Sequence, residues 1–148
     1  MYDSIDSRDI FICHSSEDEG VASDIVSRLE AQGISCWIAP RDVKPGAVYA
    51  DSLYYAIEKA PVFAVLMSAA ANKSIHVARE LELADQMKKR VVPVRLESFE
   101  ATGAFCYYTR AAHFYRWYDE PSVVIDRISE QVRRSRSSGQ GASGISDE

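Results

Sequence analysis

No apolar run in this chain approaches the roughly 20 residues that a membrane-spanning helix requires, so no transmembrane segment is expected. The N-terminus, Met1 to Asp9, carries acids and no apolar stretch, and it does not read as a signal peptide. Cysteine is scarce: Cys13, Cys36 and Cys106 are the three, and an odd number cannot all pair. Cys13 and Cys36 sit inside apolar runs, as expected for reduced, buried thiols of a cytoplasmic protein. There are three histidines, and no Cys or His spacing resembles a zinc site, so no metal is expected. Excess positive charge is also missing. The net charge of −5 gives no general electrostatic case for nucleic acid or for an anionic membrane. Neither a GxGxxG fingerprint nor a Walker-type loop is present, and no prosthetic group is implied. Nor does any spacing suggest a Ser-His-Asp or Cys-His hydrolase.

What is present is an ordinary globular balance over 148 residues, 47% hydrophobic and 26% charged, which fits one domain. Ile10 to Cys13 reads as a buried strand. His14 to Gly20 is a polar loop in which Ser16 can cap a helix, with Glu17, Asp18 and Glu19 suited to its positive end. Val21, Ala22, Ile25, Val26 and Leu29 recur at helical spacing, and Gly33 ends that helix. Ile34 to Ile38 is a second strand, followed by a loop from Ala39 to Gly46 with two prolines. A helix follows with Ala50, Leu53, Tyr54 and Ile57 on one face. Val62 to Met67 is a third strand, Ile75 to Lys88 a helix, and Val91 to Leu96 a fourth strand. Pro93 gives that strand an irregular or edge-like start. Glu97 to Tyr108 reads as an irregular loop, Ala111 to Tyr115 as a short fifth strand. A last helix opens at Pro121 with Val124, Ile128 and Val132 at its core. Residues 135–148 are Ser/Gly-rich and are expected to be a disordered tail or a linker to a further domain. The basic cluster Arg133, Arg134 and Arg136 reads as a solvated helix end.

Strands alternating with helices imply a parallel sheet, and near-continuous apolar strands imply that both its faces are covered. The expected fold is α/β, a flavodoxin-like three-layer sandwich with five parallel strands in the order 2-1-3-4-5. Ligands of such sheets bind beyond the carboxyl ends of the strands. That rule selects His14, Ser15 and Ser16 after the first strand, and Arg41, Asp42 and Lys44 after the second. It also selects the region around Ser68 after the third. His76 and Glu80 lie one turn apart on the following helix, beside the core-facing Val77, Leu81 and Ala84. A phospho-acceptor receiver is not expected, because Leu66-Met67-Ser68 offers no aspartate at the end of the third strand. A flavodoxin-type phosphate loop is not expected either, because Glu17 and Asp18 would oppose the phosphate.

Three segments together resemble a Toll/interleukin-1 receptor (TIR) domain over residues 8–134. Asp9 to Asp18 is similar to the family's first motif, with Cys13 and His14 in place of the usual serine and aromatic residue. Cys36-Trp37-Ile38-Ala39-Pro40-Arg41-Asp42-Val43-Lys44-Pro45-Gly46 resembles its second strand and BB loop, closest to the bacterial type. Phe114 to Trp117 stands where the third motif is expected. The resemblance implies one of two functions. The first is cleavage of the nicotinamide–ribose bond of NAD+, switched on by self-assembly with other TIR domains in immune (anti-phage) or cell-death signalling. The second is a non-enzymatic adaptor that associates through its BB loop. For the enzyme, the essential glutamate of the family falls on Glu80. His76 takes the place of an aromatic residue common in enzymatic members. His14, Ser15, Ser16, Trp37, Arg41 and Lys44 are the further residues expected to hold NAD+, as substrate. A fused sensor domain is the expected trigger. Nicotinamide departs from its pyridinium as a neutral molecule and needs no general acid. One carboxylate that stabilises an oxocarbenium-like transition state is therefore chemically sufficient.

Overall fold

In the computed structural model, residues 7–103, 105–107 and 114–141 are described. Five parallel strands form one sheet: β1 (Ile10–Cys13), β2 (Cys36–Ile38), β3 (Val62–Met67), β4 (Arg90–Arg95) and β5 (Tyr115–Arg116). Their order is β2-β1-β3-β4-β5, as expected. The helices are α1 (Glu19–Ala31), α2 (Tyr49–Lys59), α3 (Ala69–Asn72), α4 (Ile75–Gln86) and α5 (Pro121–Gly141).

The sheet divides the core in two. The alternation of β1 sends Ile10 and Ile12 to one face, where they meet Ile25 and Leu29 of α1 and Ile128 of α5. Phe11 and Cys13 point to the other face, against Leu53 and Ile57 of α2 and Val77 and Leu81 of α4. Phe11 is stacked between Trp37 and Phe63, with ring centroids 5.3 and 5.4 Å away. Gly33 adopts a φ of +82° after α1, the left-handed geometry that ends a helix without a side-chain clash.

Several expectations are corrected. Tyr54 and Ala50 lie on the exposed side of α2, and Ser52 and Ala56 take the buried positions beside Leu53 and Ile57. Ser16 is not the cap. Ser15 Oγ accepts from the Glu17 amide at 3.2 Å and opens a 3-10 turn, while α1 begins after Asp18 without a side-chain cap. A short α3, capped by Ser68, precedes α4. Pro93 lies inside the ladder of β4, paired with Val65. The Arg90 and Leu96 amides donate to Pro61 and Met67, so even-numbered residues face β3. The donor that proline lacks therefore faces the β5 side, where the paired residues are Val94 and Arg95. The fifth strand is Tyr115–Arg116, and residues 111–113 of the expected segment lie outside the described residues. Helix α5 runs on to Gly141, so residues 135–141 of the expected tail are helical. Residues 142–148 lie outside the described residues. Arg136 is not merely solvated: its guanidinium meets the Asp9 carboxylate at 2.5 Å and the Gly33 carbonyl at 3.2 Å. Burial alone would raise the Asp9 pKa, but bonds from Arg136 and Ser35 outweigh it and hold the carboxyl below its usual value.

Candidate functional site

A cleft of about 330 Å³ opens beyond the carboxyl ends of β1, β2 and β3. Its walls come from three loop-to-helix junctions. His14, Ser15 and Ser16 follow β1, and Glu19 opens α1. Ala39 and Pro40 follow β2, and Tyr49 opens α2. Ser74 caps α4 through a 3.2 Å bond from the Val77 amide, and His76 and Glu80 follow on that helix. The junctions are tied together. Ser68 donates to Asp18 at 2.5 Å while accepting from the Ala71 amide at 3.0 Å, which joins the loop after β1 to the loop after β3. His14 contacts two backbone carbonyls, Ser15 O from Nδ1 at 2.8 Å and Ala39 O from Nε2 at 3.0 Å. Carbonyl oxygens only accept, so both contacts are hydrogen bonds only when the ring is an imidazolium with two N–H donors.

Glu80 is half-buried between the core-facing Val77, Leu81 and Ala84 and the open cleft. Burial raises its pKa to about 7, against the lowering effects of the Cys13 thiol and of His14. Cys13 is fully buried beside it. Desolvation first, and then the Glu80 charge, push the thiol pKa well up. Tyr49 lies on the cleft wall with its phenol pKa raised by burial and next by Glu80.

The structure thus brings together five residues expected from sequence: His14, Ser15, Ser16, His76 and Glu80. Trp37, Arg41 and Lys44 do not line this cleft. Trp37 is buried, because its strand turns it onto Phe11 in the core. Arg41 forms a two-pronged pair with Glu30 at 3.1 and 2.9 Å and also meets Asp42 and the Cys36 carbonyl. It belongs to an adjoining groove between α1 and the loop after β2. Asp42 in turn accepts from the Ile38 amide at 2.9 Å, so this cluster orders the loop. Glu19, Tyr49 and Ser74 were not anticipated. Each stands in the first turn or at the cap of a helix that follows a strand, and that position was the signal available for them. Among the described residues no group of three or more His, Cys, Asp or Glu could hold a metal ion. Among them, too, no helix is long and apolar enough to cross a membrane.

No curated protein matches the chain. Solved structures do. The TIR domain of the Toll-related receptor TRR-2 from Hydra magnipapillata superposes with a TM-score of 0.72 at 24% identity, over 85% of this chain and 98% of that one. The RPS4 and RRS1 TIR domain heterodimer matches with a TM-score of 0.57 at 18% identity, over 85% and 97%. The CMP N-glycosidase BcmB of Clostridium botulinum matches with a TM-score of 0.56 at 14% identity, over 80% and 96%. At these identities the likeness is one of fold. The family model of the TIR domain matches residues 10–135, which span the sheet, the whole cleft, α1 to α4 and most of α5, and the chain belongs to the TIR domain family.

Proposed function

We propose that this TIR domain cleaves the nicotinamide–ribose bond of NAD+, with Glu80 as the carboxylate that stabilises the transition state. One observation carries the reading: a single half-buried carboxylate faces a cleft at the carboxyl end of a parallel sheet, among hydroxyls and imidazoles. In the reaction the C1′–N bond breaks and its electrons pass to the pyridinium nitrogen, so nicotinamide leaves neutral. The positive charge that develops on the ribose carbon lies opposite Glu80, and in a desolvated site that attraction is strong. Water then adds to C1′ and releases a proton, giving ADP-ribose; an internal nucleophile would give a cyclic product. In this reading Ser15 and Ser16, which line the cleft, hold ribose hydroxyls. With both ring nitrogens against carbonyls, His14 acts through its position and shape. A CMP N-glycosidase with the same fold offers a precedent for N-glycosidic chemistry on this scaffold. A cleft of about 330 Å³ is at the small end for a ligand site, which suits the nicotinamide riboside half of the dinucleotide.

The test is NAD+ consumption by the purified domain at high concentration, with Glu80→Gln beside it and products separated. Loss of NAD+ in the parent alone supports the reading. No loss in protein that scattering shows to be assembled overturns it. One feature favours the adaptor alternative: Val48, Tyr49 and Ile75 are 58%, 51% and 58% exposed around the cleft rim, an apolar surface suited to a second TIR domain. Gly46, next to it at a φ of +83°, shapes the same loop. Under that alternative Gly46→Val abolishes association and Glu80→Gln changes nothing.

A further inference from the structure

We infer that Glu19 strengthens, at the mouth of the cleft, a selection by charge that favours an N-riboside whose base is a pyridinium cation. The inference rests on the NAD+-cleaving reading of the same cleft. The lining holds two carboxylates, Glu19 and Glu80, and, among the described residues, no lysine or arginine. Glu19 is the first residue of α1. It is exposed, and no described residue forms an ion pair or side-chain hydrogen bond with it. Arg41, the neighbouring fixed cation, is committed to Glu30 and Asp42 in the adjoining groove. Among the described residues, no lysine or arginine lines the cleft to offset the charge on Glu19.

Across so small a cleft a unit charge acts over roughly one Debye length, ~8 Å, far enough to be partly screened and close enough to be felt. A pyridinium is attracted, a neutral nicotinamide is not, and the carboxylate of a nicotinate analogue is repelled. The helix starts of α1, α2 and α4 add fixed partial positive charge, but they are common to the parent and to a Glu19 variant. A comparison of the two isolates the carboxylate.

The experiment titrates 1-methylnicotinamide, a bare pyridinium cation, and neutral nicotinamide into the parent, Glu19→Gln and Glu19→Asp at pH 8, read by NMR shifts. The parent is expected to prefer the cation roughly three- to tenfold. Glu19→Gln should lower the ratio roughly two- to threefold while the charge of Glu80 keeps the remainder, Glu19→Asp should keep it, and added salt should shrink it. Equal binding of the two probes by the parent, binding of neither, or a preference undiminished in Glu19→Gln overturns the inference. NAD+ loss is followed in the same preparations. Cleavage without charge preference removes this inference and leaves the catalytic reading standing. Preference without cleavage in assembled protein removes the catalytic reading and leaves the selection by charge.

Discussion

Replacing Glu80 by glutamine should stabilise this protein, and by an amount that depends on pH. Glu80 has a folded pKa of about 7 because burial penalises its charge, whereas an unfolded glutamate titrates near 4.3. The folded state therefore binds the proton more tightly. Below the unfolded pKa both states are protonated and the carboxyl costs nothing. Between that value and about 7 stability falls as pH rises, and above about 7 the loss is complete. A shift of this size corresponds to at most roughly 4 kcal/mol, less for a carboxyl that still touches solvent. Glutamine has the same shape and no charge, so it escapes the whole loss. The assay is thermal unfolding of parent and Glu80→Gln from pH 5 to pH 8.5. The other titrating groups are shared and cancel in the difference. The gap between the two Tm values should be small at pH 5 and widen by roughly 5–10 °C by pH 8. Parallel curves would mean that Glu80 is solvated like any surface carboxylate, and a gap closing with pH would reverse the sign of the desolvation.

Other consequences can be checked alongside. In the NAD+-cleaving reading, kcat/KM should fall about tenfold per pH unit below about 7, because free-enzyme Glu80 must be ionised. The kcat inflection should lie lower, since a bound pyridinium favours the carboxylate. Trp37→Ala should cost roughly 3–5 kcal/mol in denaturant unfolding, because it removes one side of the Phe11 stack. Trp37→Phe should cost less than about 1.5 kcal/mol and leave KM unchanged, as Trp37 does not reach the cleft. Arg136→Gln should cost roughly 0.5–1 kcal/mol at neutral pH, as expected of a partly exposed pair. That cost should fade as the pH drops through the lowered pKa of Asp9 and the carboxylate is neutralised.

The sheet was the most legible part of the sequence, because Ile10 to Cys13 and Val62 to Met67 are apolar at every position and both faces of the sheet are covered. Glu80 and His76 were legible through helical spacing and the rule that ligands sit beyond strand ends. Trp37 was misplaced because both faces of its strand are covered, so a ring inside the strand packs in the core and does not reach the cleft beyond the strand end. Tyr54 was misread for a related reason. Its ring looks apolar in a pattern, yet Ser52 and Ala56 are small enough to bring α2 against the sheet, and Tyr54 is left outside. Glu19 and Tyr49 were invisible as site residues because their role comes from where two helices begin. The helical stretch beyond residue 134 has little local propensity. Part of its support is the contact between Arg136 and Asp9, residues 127 positions apart, which no local pattern encodes.

The two carbonyl contacts of His14 bear on how the cleft is held open. One ring bridges the loop after β1 and the loop after β2, so the walls cannot swing apart without losing a contact to it, and each hydrogen bond the ring donates is worth about 0.5–1.5 kcal/mol. An aromatic residue at this position would fill the same space and let the walls drift apart. With histidine, the shape of the cleft is set before any ligand arrives, and little ordering entropy is left to be lost on binding.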